Sequence, residues 1–247
     1  MGESPGLIAR HLAEQVAIIE SLVEPVRTDE FDAVHRMRVA ARRIQAALRV
    51  WRPLMDAREV ALLRAELGWL AHALAAARDA EVMEERLDEA LAGDTPAALG
   101  ARALVDAHLD DVATRAHAEL DADFESERWS TLRHRLSRCA SDPPLLWDEP
   151  RLDTLLDLLA TACARAWHEW RAVPPARPRL GADDPRHEQA HRARRRAKVV
   201  RYLAEALSDN QTGEASLAHL DELAIAFKLV SDELGDSHDA VVSATVL

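Results

Sequence analysis

Glycine, aromatic residues and cysteine are scarce in this chain, and stretches of alternating β-branched residues are missing. Of 247 residues, 8 are glycine, 2 are cysteine and 4% are aromatic. Without runs rich in Val, Ile, Thr and Tyr at period two, strands have little support. Cys139 and Cys163 have no CxxC spacing, so they form neither a disulfide framework nor a zinc ribbon, and two lone thiols suit a reducing compartment. The N-terminus has no basic segment leading into an apolar run, and no window approaches the roughly 18 apolar residues of a membrane span. These absences point to a cytoplasmic protein that does not engage a membrane. Lysine is nearly missing as well: Lys198 and Lys228 are the only two, so arginine supplies almost all of the positive charge.

What fills the chain is Ala, Leu, Arg and Glu, all good helix formers. With 48% apolar residues a sizeable core is within reach. The net charge is −12, from 31 basic and 43 acidic residues, which argues against a protein that coats nucleic acid over its whole surface. A local basic site stays open, and the distribution of charge matters more than its sum.

Apolar residues recur at helical spacing almost throughout. A first helix from about Ser4 to Glu24 places Leu7, Ile8, Leu12, Val16, Ile19 and Val23 on one face and ends at Pro25. A second runs from a polar start at Thr28 to Asp32 as far as Trp51, and Pro53 punctuates it. A long third helix spans about Arg58 to Leu91, stopped by Gly93. Asp94-Thr95-Pro96 then reads as a new helix start, with a break near Asp121 to Glu125. Ser141-Asp142-Pro143-Pro144 is the best domain boundary. Beyond it lie helices over about Arg151 to Arg171, Arg186 to Leu207 and Ala215 to the C-terminus. A loop rich in Pro174, Pro175, Pro178 and Pro185, and the segment Ser208 to Gly213, separate them. Seven or eight helices predict helical bundles packed side by side, with domains over 1–142 and 143–247.

An internal repeat carries the chemistry. His35 to Ala46 and His191 to Tyr202 both read His-x-x-Arg-x-x-x-basic, and downstream Leu70 to Asp79 matches Val230 to Asp239. Positions 35, 38, 42, 45 and 49 share one helix face, as do 191, 194, 198 and 201. Each basic row runs beside an apolar row one residue earlier: 34, 37, 41, 44 and 48, and 190, 193, 197 and 200. Packing the apolar row therefore holds the basic row at the edge of the core. Six arginines and no acid lie between Val34 and Met55; seven Arg or Lys and one acid, Glu188, lie between Arg186 and Arg201. Like charges three or four residues apart on a helix repel by ~0.2–0.5 kcal/mol per pair. One such row is most simply a solvated face, or is balanced by distant carboxylates. Two rows with matching spacing favour a bound polyanion instead, with Arg offering a planar fork for phosphate oxygens, Lys a compact charge and His a donor whose charge grows below about pH 6.5.

These blocks, VHRMRVAARRIQAALRVWRPLM, LAHALAAARDAEVMEERL, HRARRRAKVVRYLAEAL and FKLVSDELGDSHDAVV, resemble the CHAD domain, the conserved histidine α-helical domain, over essentially the whole chain. The resemblance implies an all-α fold of two pseudo-symmetric antiparallel bundles with a basic groove between them. It also implies non-catalytic binding of inorganic polyphosphate, without cofactor, in the cytoplasm or at polyphosphate granules. The positions that match are His35, Arg38, Arg42 and Arg43 in the first half, and His191, Arg194, Lys198, Arg201, Tyr202 and Lys228 in the second. Arg49 on the first row, Arg195 within the second basic window and Arg78 in the downstream block complete the candidate set. Gln45 stands where the family has a basic residue, and Gly68 where Lys228 has its counterpart, so the second half is expected to bind more strongly. The chain stops at Leu247, short of the family's usual last helix. This implies a shortened second bundle and a homo-oligomer that covers its open face. The ExExK strand signature of the triphosphate-hydrolysing CYTH barrel, a frequent fusion partner, is absent.

Other readings compete. His187-Glu188-Gln189-Ala190-His191 is an HExxH, the zinc-protease signature, but the arginines that follow disfavour a divalent cation and no third ligand stands out. A divalent-metal-binding protein is thus the weaker alternative. His11, His108, His117, His134, His168 and His219 read as ordinary surface or packing residues, and Asp79 and Asp239 as structural braces. The six tryptophans read most simply as core or interface anchors, with base stacking as the sharper possibility. A nucleic-acid binder using the same rows is the main alternative, disfavoured by the net charge. No acidic metal cluster suggests an enzyme acting on polyphosphate.

Overall fold

A computed structural model describes the backbone of residues 6–90, 96–173, 185–209 and 218–246. Their side chains are described except at 80, 81, 84–90, 96–108, 110, 185–187, 218 and 235–246. Among the described residues the chain is all-helical: α1 (Leu7–Ser21), α2 (Val23–Arg27), α3 (Ala33–Val50), α4 (Ala57–Ala90), α5 (Pro96–Glu125), α6 (Glu127–Ser141), α7 (Leu152–Arg171), α8 (Pro185–Asp209) and α9 (Ala218–Val246). A single 3-10 turn, Arg52–Leu54, carries Pro53 between α3 and α4. Among the described residues the one trace of extended pairing is an isolated antiparallel bridge between Met55 and Leu145. The expected stop at Gly93, the start at Asp94-Thr95 and the segments 174–184 and 210–217 lie outside the described residues.

Three local features depart from the periodicity or refine it. Pro25 does not end a helix. The chain turns at Leu22, and Pro25 sits in the first turn of α2, where a missing N–H leaves no intrahelical bond unmade. The link to α3 then passes through Asp29 and Asp32 with φ of 53° and 62°, a left-handed conformation that short polar side chains tolerate. The break between α5 and α6 falls at Ser126. Its Oγ accepts from the Trp129 N–H at 3.1 Å and donates to the Asp123 carbonyl at 2.6 Å, an N-cap that restarts the helix. At the start of α1 the Glu149 carboxylate accepts from the Ile8 N–H at 2.7 Å, and a Cβ at Gly6 would meet the end of that flexible side chain, which would have to shift.

The chain forms two compact units, divided within α1, within α3, before α4 and between α6 and α7. One unit holds 12–45 and 57–144; the other holds 1–11, 46–56 and 145–247. In the first unit the buried side chains include Met37, Ala41 and Ile44 of α3, Leu63, Leu67, Leu70 and Leu74 of α4, and Trp129, Leu132 and Leu136 of α6. Its rim is tied by Arg128 to Glu66 at 2.7 Å, Arg138 to Glu59 at 3.2 Å and Arg27 to Glu125 at 2.8 Å. In the second unit α7 and α9 both pack against α8, around Leu155, Leu159, Ala193, Ala197, Val200, Leu203, Leu207, Leu220 and Ala224. His11 and Trp51 meet there edge to face at 5.7 Å.

By length and composition alone, residues 57–79 of α4 could cross a membrane, with a mean hydropathy of 1.3. Within this stretch Leu63, Leu67, Leu70 and Leu74 are buried while Leu62 is exposed, 33% of the apolar window is buried, and Glu59 and Glu66 pair with arginines of α6. A helix at the core of a bundle passes the same test.

Candidate functional site

On α3 the apolar row is sealed: Val34, Met37, Ala41, Ile44 and Leu48 are each 1% exposed or less. That burial fixes the row beside it. Arg38, Arg42 and Arg43 are half-buried, while His35 and Arg49 are exposed. Arg38 Nη1 donates to the Leu74 carbonyl of α4 at 3.0 Å. Arg78, one turn further along α4, is half-buried. These side chains fall in the unit of 12–45 and 57–144, except Arg49, which falls in the other.

On α8 the same construction recurs. Ala193, Ala197 and Val200 are buried, and Ala190 half-buried. Beside them Arg194, Lys198 and Arg201 are half-buried, with His191 and Arg195 exposed. Small alanines let α8 sit close to its neighbours, which explains how long cationic side chains become partly enclosed while their stems cover apolar surface. Arg194 Nε is enclosed with no hydrogen-bond acceptor. An enclosed charged donor without a partner is costly, by roughly 1–3 kcal/mol or more.

The remaining candidates divide into a support and a tethered cation. Tyr202 is only 4% exposed, and the Arg201 guanidinium lies 4.9 Å over its ring, so Tyr202 acts as a shelf for Arg201 rather than as a surface contact. Arg201 Nε also lies 3.2 Å from Glu205 Oε1, without a directed hydrogen bond. Lys228 is exposed on α9, and its Nζ donates to Asp232 at 3.1 Å. Burial works against ionisation of Asp232, but the hydrogen bond and charge of Lys228, the Ser231 hydroxyl and the charge of Arg201 together hold its carboxyl below the usual range. Off the row, Arg192 pairs with Glu188 at 3.4 Å and Arg196 with Glu169 at 3.2 Å.

Glu205 and Asp232 were not singled out from the sequence. The signal was there: an acid four residues after a cation on the same helix face.

Other motifs take different places. The HExxH stretch lies at the start of α8, but the His187 side chain is outside the described residues, as are those of His108, His238 and Asp239. Among the described residues no group of three or more His, Cys, Asp or Glu is placed to hold a metal ion. His117 pairs with Asp29 at 3.0 Å and His219 with Glu222 at 3.4 Å, while His11 is buried. The tryptophans are not uniformly core. Trp51 and Trp129 are buried, and half-buried Trp69 packs under Arg128 at 4.7 Å. Trp147, in the segment before α7, is 70% exposed, and Trp167 and Trp170 are 53% and 37% exposed because the inward face of α7 belongs to Leu155, Leu159 and Ala166. Two open clefts of about 320 and 430 Å³ in the unit of 12–45 and 57–144 have mixed-charge walls and take no residue of either row.

Two basic rows of this spacing, each set by a sealed apolar row, match a known family. The CHAD domain profile covers residues 10–247. The chain belongs to the CHAD domain family. Two curated relatives are uncharacterized proteins of Mycobacterium tuberculosis, MT2285 of strain CDC 1551 / Oshkosh and Rv2226 of strain H37Rv. Each is 32% identical over 241 residues, covering 96% of this chain and 44% of the relative. This CHAD chain thus spans less than half the length of those relatives. Among solved structures it is similar to PptA from Streptomyces chartreusis (TM-score 0.69, 22% identity, 97% of this chain and 100% of that one). It is also similar to the CHAD domain from the plant Ricinus communis (TM-score 0.61, 24% identity, 95% and 77%). At such identities these two likenesses speak for the fold.

Proposed function

We propose that this CHAD protein binds inorganic polyphosphate, without catalysis, through the basic rows of α3 and α8 and the lysine of α9. The observation that carries this reading is the row on α8. Arg194, Lys198 and Arg201 are partly enclosed by the packing of Ala193, Ala197 and Val200, and Arg194 Nε has no acceptor. Cations held in a line at the edge of a core suit a slim, flexible chain of phosphates that needs no base recognition. Arg, Lys and His supply donors and positive charge that hold phosphate oxygens, and we read the rows as built for holding rather than for bond cleavage. We place the protein in the cytoplasm, directed to polyphosphate granules by this affinity.

The test is a binding assay that compares long-chain polyphosphate with RNA and DNA at equal charge concentration. Clear preference for polyphosphate supports the reading, and equal or weaker binding sinks it. A fluorescent fusion that ignores polyphosphate granules would sink the targeting half alone.

One observation favours single-stranded nucleic acid as a second reading. Trp167 and Trp170 are exposed with ring centroids 4.9 Å apart, on either side of the Glu169 that pairs with Arg196 of α8. Replacing both with alanine distinguishes the two. Polyphosphate binding is expected to survive, whereas binding that depends on stacked bases would be lost.

A further inference from the structure

The two halves of the repeat differ at four coupled positions. On the second row Arg201 stands where the first has Gln45, and Lys228 stands where the first has Gly68. Each of these additional cations brings an acid four residues on: Glu205, 3.2 Å from Arg201, and Asp232, 3.1 Å from Lys228. In the first half the positions equivalent to those acids hold Arg49 and His72. At these four positions the first half therefore carries one arginine and no acid, whereas the second carries two cations and two carboxylates. The four groups lie on two helices that pack on each other, α8 and α9, and Asp232 feels the charge of Arg201 as well as that of Lys228.

We propose that Glu205 and Asp232 are specificity-determining residues of the α8–α9 row: they occupy Arg201 and Lys228 internally, so that only a polyanion of high linear charge density displaces them. This rests on the polyphosphate reading above. A carboxylate beside a guanidinium or an ammonium stands in for a phosphate group, and an incoming anion has to replace it. Both pairs are built to yield. The Arg201–Glu205 contact lacks directed hydrogen-bond geometry, and the Lys228 and Asp232 side chains are 60% and 51% exposed. In both pairs the cation precedes the acid, the weaker order on a helix. Every unit of polyphosphate carries an anionic phosphate, so it presents several charges to the row and recovers the lost pairs. A nucleotide strand spaces its phosphates with sugars and recovers less over the same length. The acids thus cost polyphosphate little net affinity and cost a sparse polyanion more, which widens the difference between the two.

The experiment uses the full chain with Glu205→Gln and Asp232→Asn together, changes that keep side-chain size and hydrogen-bonding capacity. The probes are long-chain polyphosphate and a single-stranded oligothymidylate of equal total charge. An exposed pair is worth up to about fivefold in affinity, so the oligothymidylate is expected to bind roughly threefold to tenfold more tightly to the variant. Polyphosphate should gain less, lowering the selectivity ratio. The log–log salt dependence of oligothymidylate binding should also steepen as the two freed cations take up phosphates. The control carries Glu169→Gln with Glu188→Gln, which adds the same two charges beside Arg196 and Arg192, off the row. Its ratio is expected to stay at the wild-type value. A ratio that stays constant in the first variant, or falls equally in the control, overturns the proposal. Weaker binding of both probes also overturns it, since the acids would then be holding the cations in place for the ligand. If the wild type itself fails to prefer polyphosphate, the functional reading falls and this inference with it.

Discussion

Arg38 Nη1 donates to the Leu74 carbonyl across 3.0 Å, tying the basic row of α3 to α4. Arg194 holds the equivalent place in the repeat, yet its enclosed Nε has no acceptor. One arginine is part of the fold and the other is a cost to it. We expect Arg38→Ala to destabilise by about 1 kcal/mol, a melting temperature lower by roughly 2–4 °C. Arg194→Ala should leave the melt unchanged or raise it slightly. Thermal melts followed by circular dichroism check this, and equal falls in both variants would remove the asymmetry.

For binding, the weights reverse. Arg194→Ala with Lys198→Ala removes two adjacent cations of the α8 row and is expected to weaken polyphosphate binding by about tenfold or more. Lys228→Ala removes a cation already answered by Asp232 at 3.1 Å, and is expected to cost less than about threefold. Isothermal titration or anisotropy gives both numbers. A Lys228→Ala loss as large as that of the double variant would show that the Asp232 pair does not compete with the ligand.

Affinity for polyphosphate is expected to fall log-linearly with salt, as it does when counterions are released from nucleic acids. It should also tighten as pH falls from 8 to 6. The sign follows from the groups present. Asp232 has its carboxyl held below the usual range, so it stays ionised throughout this window and contributes no change. Both rows carry an exposed histidine, His35 and His191, and imidazole ordinarily takes up protons across this window. With His35→Ala and His191→Ala together the pH response should vanish; an unchanged response would make these histidines structural.

The rows themselves were legible in the sequence, because burial on a helix follows the 3.6-residue period. Of the positions expected to face inward, Val34, Met37, Ala41, Ile44, Leu48, Ala193, Ala197 and Val200 are buried and Ala190 is half-buried. What periodicity does not report is contact between distant segments. Glu149 accepts from the Ile8 N–H from 141 residues away, and residues 1–11 and 46–56 cluster with 145–247. Tyr202 shows a second gap. Its place in the repeat suggests a ligand contact, but its ring is buried beneath Arg201, since residue 202 shares a face with buried Ala206, four residues on. Pro25 was read as a stop although a proline serves equally well in a first turn, and residue type alone does not separate the two.

Cys139 is 5% exposed on α6, and burial pushes its thiol up to about 11. The thiolate is the reactive form, so at pH 8 alkylation should be slow in the folded protein and fast in denaturant. Cys163 is raised by burial in the same direction but is only half-buried. Mass spectrometry after limited alkylation should therefore find Cys163 labelled first. Faster labelling of Cys139 would mean that α6 opens at its C-terminal end.

Gly68 offers the sharpest test of the repeat. It sits within α4, exposed, at the position where the second half has Lys228, and an added Cβ would meet nothing within 4 Å. Glycine inside a helix costs ~0.8–1.0 kcal/mol relative to alanine, and lysine is among the better helix formers. Repulsion from half-buried Arg64, one turn before, removes ~0.2–0.5 kcal/mol of that gain. Gly68→Lys is therefore expected to raise the melting temperature by about 1–3 °C. Its effect on binding should be larger than that of Lys228, because the residue four positions on is His72 and not an acid. Polyphosphate should bind more tightly, and the log–log salt slope should steepen by close to one. Gly68→Gln separates the two effects: it should reproduce the gain in stability but leave affinity and salt slope at wild-type values. If Gly68→Lys stabilises the fold yet leaves binding unchanged, residue 68 does not reach the ligand, and the correspondence between the halves ends with the helices and does not extend to the row.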